Sequence, residues 1–140
     1  MNRKNIVLLF SPILVSLLFF SCSSNSLEGN WNTSALQVDG IYQEICISNI
    51  NFTREGKKLV AKGRSGVNLY NANVETKGKT LKISSMVNTG FNGDKAAMEF
   101  ENLFFEAFVH GDSFMIKNDT LYIYNHEKKM ELQLKKEKKE

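Results

Sequence analysis

Two cysteines, two histidines and a few carboxylates are the residues of this 140-residue chain whose types could do chemistry. Cys22 ends an apolar run and is followed at once by Ser23, Ser24, Asn25 and Ser26. Cys46 lies in Ile45-Cys46-Ile47-Ser48-Asn49-Ile50, a setting that predicts a buried, inert thiol rather than a reactive one. Nucleophilic catalysis needs a Ser or Cys beside a His and an acid. His110 falls at the expected end of a helix, where the dipole favours a cationic imidazole, and His126 falls in a turn that should face solvent. His110-Gly111-Asp112 is too short a cluster to define a site. The metal-ligand spacings H-E-x-x-H and C-x-x-C do not occur. Glu99, Glu101 and Glu106 could in principle pair as acid and base at a glycosidic bond, but helical spacing puts them on an outer, solvated side. Gly63-Arg64-Ser65-Gly66 lacks the Lys and the following helix of a phosphate loop. The expectation is therefore no enzyme, no cofactor and no metal.

The address is written in the first residues. Arg3 and Lys4 give a positive start, Ile6 to Phe20 is apolar apart from Ser11, Pro12 and Ser16, and Ser21 is a small residue before Cys22. These are the parts of a secretory signal. The run is shorter than the roughly 20 apolar residues a spanning helix takes, and Pro12 weakens it as a helix. Leu18-Phe19-Phe20-Ser21-Cys22 resembles a bacterial lipobox, with Phe19 and Phe20 departing from its usual pattern. The resemblance implies cleavage after Ser21 and acylation of Cys22 with two or three chains, enough for lasting attachment where a single chain holds only marginally. Ordinary cleavage nearby, leaving Cys22 a plain thiol, is the alternative. Ser23, in place of an inner-membrane retention Asp, points to the outer membrane. No acidic cluster follows Cys22, which points to the periplasmic face.

Eighteen Lys and Arg against fifteen Asp and Glu give the full chain a formal net charge of +3. Removing residues 1–21 takes away Arg3 and Lys4 and leaves a nearly neutral product. Nucleic-acid binding would need a clustered basic face, and the lysines near the C-terminus alternate with Glu127, Glu131, Glu137 and Glu140, so no nucleic-acid partner is expected. Residues 22–140 make one ordinary domain, large enough for a core without staples. With Cys22 acylated only Cys46 remains, and no internal disulfide can form. The division expected is a signal over 1–21, a lipidated tether over 22–26, a folded domain over 27–134 and a charged tail over 135–140. A monomer is expected, held to a membrane by its anchor.

The elements follow from hydrophobic period. Leu27 to Leu36 reads as a strand anchored by Trp31. Ile45 to Thr53 and Lys58 to Gly63 flank a turn at Glu55-Gly56, and Leu69 to Thr76 and Thr80 to Met86 flank Lys77-Gly78-Lys79. From Asp94 to Val109 the period changes: Ala96, Ala97, Phe100, Leu103, Phe104, Ala107 and Phe108 recur at three and four, the mark of a helix. Asn92 or Asp94 caps its start, and His110-Gly111 ends it, with Gly free to take positive φ. Phe114 to Lys117, Thr120 to Tyr124 and Met130 to Leu134 complete a meander. The class is α+β: a curved antiparallel β-sheet, partly open and barrel-like, with one main α-helix packed on it.

Several of these segments carry family wording. Leu27-Glu28-Gly29-Asn30-Trp31, the run from Gly63 to Ala72 (GRSGVNLYNA), Met86-Val87-Asn88-Thr89-Gly90-Phe91, Glu99-Phe100 and Asp119-Thr120-Leu121-Tyr122-Ile123 together resemble the META (heat-shock HslJ-like) domain family from about Leu27 to Leu134. Val67 and Gly93 stand where many members carry Cys, so a disulfide used there is lost, and Gly90 replaces an Arg. The resemblance implies an envelope lipoprotein tied to stress tolerance, with no established catalysis. The fold is also similar to cracked-barrel pilotin lipoproteins, which bind lipids or protein tails.

Four residues are the candidate partner surface. Met98 and Phe105, seven apart, share a helix side away from the main stripe; Tyr70 and Phe91 lie in two of the family segments. Aromatics and Met exposed together make a partner surface or the lip of an apolar cavity; the alternative is a wider buried helix face. The function expected is binding of an apolar protein segment or a lipid in the envelope. The runner-up is a structural or inhibitory interaction module with no cavity. Asn32, Asn51 and Asn118 open N-x-S/T triplets, and Asp119-Thr120-Leu121 resembles an O-glycosylation motif of some Bacteroidetes.

Overall fold

Alternating inward apolar residues shape most of the described residues into strands, and the switch of period from Asp94 onward makes a helix. The computed structural model describes residues 26–138; Cys22 and the expected signal lie outside them. The elements are β1 (Gly29–Val38), β2 (Ile41–Tyr42), β3 (Asn49–Glu55), β4 (Lys58–Arg64), β5 (Leu69–Lys77), β6 (Thr80–Asn88), α1 (Lys95–Val109), β7 (Ser113–Lys117), β8 (Thr120–Asn125) and β9 (Met130–Lys136).

All pairings are antiparallel, in the order β2-β1-β3-β4-β5-β6-β7-β8-β9, and β1 also pairs with β9. That last ladder runs from Trp31 opposite Lys136 to Val38 opposite Met130 and closes the sheet into a barrel. The partly open sheet expected from sequence is thus a closed barrel, with β2 a two-residue extra strand beside β1. Closure removes the sheet edges that an open form would expose. Bulges between Thr33 and Ala35 and between Asn71 and Asn73 supply curvature. The weakest seam is β6–β7, where Thr80 faces Ser113 and Leu81 N and Phe114 N donate across to Asp112 and Lys79.

The strand from Ile45 begins later than its sequence suggests. Residues 43–48 form an irregular segment, and Ile45 and Ile47 are exposed (41% and 88%). Cys46, expected to be buried, is half-buried and free, packed against the core. The strand β2 went unread because its signal is only a two-residue turn: Asp39 and Gly40, both at positive φ (54° and 79°), reverse the chain in the hairpin geometry that suits strand twist. At the other end β9 extends to Lys136, whose ammonium lies 5.0 Å over the Trp31 ring.

Because neighbouring strands run in opposite directions, the connections sort to two ends. At the turn end lie the N-terminal residues, the turns at 56–57, 78–79 and 118–119, and the C-terminal residues after β9. At the helix end lie the β1–β2 turn, the β4–β5 and β6–α1 connections and the turn at 126–129. The helix spans this second mouth. Its start is bound to residues 65–68 through Glu101, and near its finish the Glu106 carbonyl accepts from Asn125 Nδ2. Phe100, Phe104, Ala107 and Phe108 point inward. Phe104 and Phe108 lie against Tyr70, and Phe108 meets Phe52 edge-on. With Trp31, Leu36, Ile50, Leu121, Ile123, Leu132 and Leu134, all at most 1% exposed, they fill the interior.

Candidate functional site

The helix end is built around a carboxylate that hydrophobic period places on the wrong side. Glu101 was expected on the solvated helix face; it is 3% exposed. Glu99 is the exposed one, 3.7 Å from Lys95. Glu101 turns inward because the β4–β5 connection offers it donors. Its Oε2 accepts from Ser65 Oγ (2.6 Å), Asn68 N (2.8 Å) and Val67 N (3.2 Å), and its Oε1 from Asn68 Nδ2 (2.6 Å). No cation of the described residues is ion-paired with it. Burial alone would raise its pKa, but these hydrogen bonds outweigh burial and hold it below the usual Glu value.

Asn68, 2% exposed, passes the network on. Its Oδ1 accepts from Phe91 N (2.6 Å) and Thr89 Oγ1 (2.8 Å), and its Nδ2 also donates to Phe91 O (3.0 Å). One carboxylate and one amide therefore tie together α1, the β4–β5 connection and the β6–α1 connection. Gly66, at φ 114°, makes this approach possible; a side chain there would press on the Phe100 ring. The sequence held the signal in part. Ser65, Asn68, Thr89 and Phe91 all sit in the segments singled out above, but the acid they serve is Glu101 rather than Glu99. Chemically the network is a clamp: a catalytic acid would have a raised pKa and an open face, and Glu101 has neither.

The four candidate surface residues do not form one surface. Tyr70 is in the core, 5% exposed, its hydroxyl donating to the Asn49 carbonyl at 2.8 Å. Burial pushes its phenol well above the ordinary range. Phe105 is half-buried and edge-on to Tyr70, with ring centroids 5.6 Å apart. Met98 is half-buried on the helix. Phe91 is 67% exposed. Its neighbours lie in the same two family segments, though neither was among the four candidate surface residues. Leu69 opens β5 and Val87 lies near the end of β6, 60% and 63% exposed, and the Leu69 N donates to Thr89 Oγ1. Beside Leu69 an open cleft of about 420 Å³ runs over β3, β4 and β5, lined by Asn49, Asn51, Lys62, Arg64 and Asn71.

A second apolar group, Ile41, Tyr42, Ile45 and Ile47, comes from β2 and the segment after it. Cys46 in that segment faces Gly66, which brings it against the β4–β5 connection. The seven exposed large apolar side chains of the described residues thus all belong to the helix end. Tertiary pairing alone reveals this, since they are scattered from 41 to 91.

His110 is the exposed C-terminal cap of α1. His126 Nδ1 lies 2.6 Å from Asp112 Oδ1, and the His126 N donates to Oδ2 at 2.8 Å. Burial opposes the Asp112 charge, and the bonds and charge of His126 hold its pKa below the ordinary value. This exposed pair pins the 126–129 turn to the residue before β7. Gly111 ends the helix for a reason other than positive φ: a Cβ there would strike Ile123 and the Ala107 carbonyl oxygen. Among the described residues no three His, Cys, Asp or Glu side chains gather where they could hold a metal ion. None of the described helices is long and apolar enough to cross a membrane.

Comparison with known proteins accords with this geometry. The model of the META domain matches residues 25–139. The fold is similar to the NMR structure of a protein from Burkholderia xenovorans, with a TM-score of 0.67 at 15% identity over 80% of this chain and 83% of that one. It is also similar to the crystal structure of a DUF4847 family protein from Bacteroides vulgatus, with a TM-score of 0.56 at 15% identity over 81% of this chain and 95% of that one. Both likenesses are of fold. No curated protein matches the chain.

Proposed function

Since the chain belongs to the META domain family, we propose that it is a non-enzymatic, lipid-anchored envelope protein that binds an apolar segment of a partner protein at the helix end of its barrel. The anchor is acylated Cys22, the membrane is the outer one, the face is periplasmic, and the role is support of the envelope under stress. The observation that carries the reading is the gathering of Leu69, Val87, Phe91, Ile41, Tyr42, Ile45 and Ile47 at one end. Apolar side chains exposed together mark interaction sites, whereas scattered ones do not. The filled interior favours surface binding of a protein segment over a lipid swallowed between helix and sheet. The exposed amide side chains of Asn51 and Asn71 beside Leu69 suit the backbone of such a segment.

A photo-crosslinking residue at position 91 tests the reading in cells. A discrete adduct with one envelope protein is expected, lost when Leu69 and Val87 are changed to Ser. Absence of any adduct at 91, 69 and 47 would leave the second reading, a structural module with no binding face, which the filled core equally favours. Radiolabelled palmitate tests the anchor separately: incorporation is expected in the native chain and not in Cys22→Ser.

A further inference from the structure

The charged side chains of the barrel are sorted along its axis. Lys57 lies in the β3–β4 turn and Lys58 opens β4, Lys77 and Lys79 flank Gly78, and Lys117 precedes the turn at 118–119. All five are exposed at the turn end, and none is in an ion pair found among the described residues. Lys135 and Lys138 add to the same end. Of the acids there, Glu28 is engaged by Arg54 at 3.5 Å and Glu55 by Lys62, while the exposed Glu75, Asp119 and Glu137 are in no ion pair found among the described residues and are outnumbered by these lysines. At the helix end the exposed acids Asp39, Glu99 and Asp112 are paired with Lys129, Lys95 and His126, and the exposed Glu44 and Asp94 are in no ion pair found among the described residues.

The N-terminal segment leaves from the cationic end. Leu27 is buried there, its carbonyl accepting from Trp31 Nε1 at 2.7 Å. Five residue steps separate Cys22 from Leu27, a separation of at most roughly 18 Å at about 3.5 Å each. The mouth from which Leu27 leaves is therefore held within about two Debye lengths of whatever surface holds Cys22, about 10 Å each at 0.1 M salt. The helix end is about 33 Å away along the ten residues of β1, beyond the reach of so short a tether unless the barrel lies on its side.

We propose that the turn end is a docking face for an anionic phospholipid surface, which stands the barrel upright with its helix end outward. The proposal rests on the anchor reading for its geometry. Lysine ammonium groups lying near anionic headgroups are attracted without any specific pocket, and the five turn lysines are placed like feet around one mouth.

The test uses residues 23–140, since the closed barrel lies wholly within Gly29 to Lys136. This chain carries no acyl group, so vesicle binding and palmitate labelling fail independently. Co-sedimentation with vesicles of phosphatidylcholine is compared with vesicles that also contain phosphatidylglycerol. Partition about tenfold or more higher on the anionic vesicles is expected at low salt, lost at high salt. Changing Lys57, Lys77, Lys79 and Lys117 together to Ser abolishes the gain, while Lys128→Ser with Lys129→Ser keeps it. Equal partition on both vesicles overturns the proposal. So does binding that survives the four substitutions, or binding that disappears with Leu69→Ser and Phe91→Ser. The salt dependence of the unmodified chain keeps the test decisive should the four-lysine variant fold poorly.

Discussion

A carboxylate buried without a counter-ion survives only if every lone pair it turns inward meets a donor. Glu101 meets that condition with Ser65, Asn68 and the Val67 N–H. Glu101→Leu strands those donors, and at about 1–3 kcal/mol for an unsatisfied buried group the urea midpoint should fall by the equivalent of about 3 kcal/mol or more. Glu101→Gln keeps an acceptor and the shape, and should cost less. The pH dependence has a definite sign. A carboxylate whose folded pKa is depressed contributes stability in full above its unfolded value, about 4.3 for Glu, and loses it as pH falls through the folded value. Urea midpoints measured between pH 6 and pH 3 should therefore drop in the native chain, and drop less in Glu101→Gln. Equal slopes would remove Glu101 from the account. Glu101 was not legible as a buried group, because helical period counts apolar residues and sees an acid only as a gap in the stripe.

At the scale of elements, two glycines separate backbone need from open space. Gly63 in β4 lets the Tyr70 hydroxyl reach the Asn49 carbonyl; a Cβ at 63 would collide with that carbonyl oxygen. Gly63→Ala should push β3 from β4 and cost about 1–3 kcal/mol, the range for overpacking. Gly78, at φ 59° with nothing within 4 Å, should accept Asn within about 0.5 kcal/mol, since Asn tolerates that conformation. Thermal unfolding of the two variants side by side checks both. The hairpins around Gly56 and Gly78, the helix from Lys95 and the strands with Leu121, Ile123, Leu132 and Leu134 inward were all legible, because each repeats a local period. The short β2 and the late start of β3 were not. Ile45 and Ile47 look like core, but they lie in an irregular segment tied to β1 only at its two ends, by Gln43 N donating to the Leu36 carbonyl and Thr33 N donating to the Ser48 carbonyl.

At the scale of the molecule, the closing ladder joins residues nearly the whole domain apart. The Glu137 N donates to the Asn30 carbonyl at 2.9 Å, so the ends of the domain adjoin. A circular permutant that links them by a short loop and opens at Gly78 should fold with a native-like near-ultraviolet spectrum, whereas deletion from Met130 onward should not. The deletion removes Leu132 and Leu134, both fully buried, and leaves the β1 and β8 edges unpaired. The same closure gives the proposed function its direction. It carries the exposed apolar side chains to one end and the turn lysines to the other.

By itself the sequence determined what is local. Residue period set strands and helix, turn residues set hairpins, and the motif order from Leu27 onward marked the META domain that the family match bears out. Only the tertiary structure decided that the sheet closes, that Glu101 is a buried clamp, that Tyr70 is core while Leu69, Val87 and Phe91 share a face, and that charge is polarised along the axis. The physical reason is range. Period and turn chemistry act over a few residues, whereas a barrel seam, a hydrogen-bonded carboxylate and a surface patch are made by groups that the chain brings together from tens of residues apart.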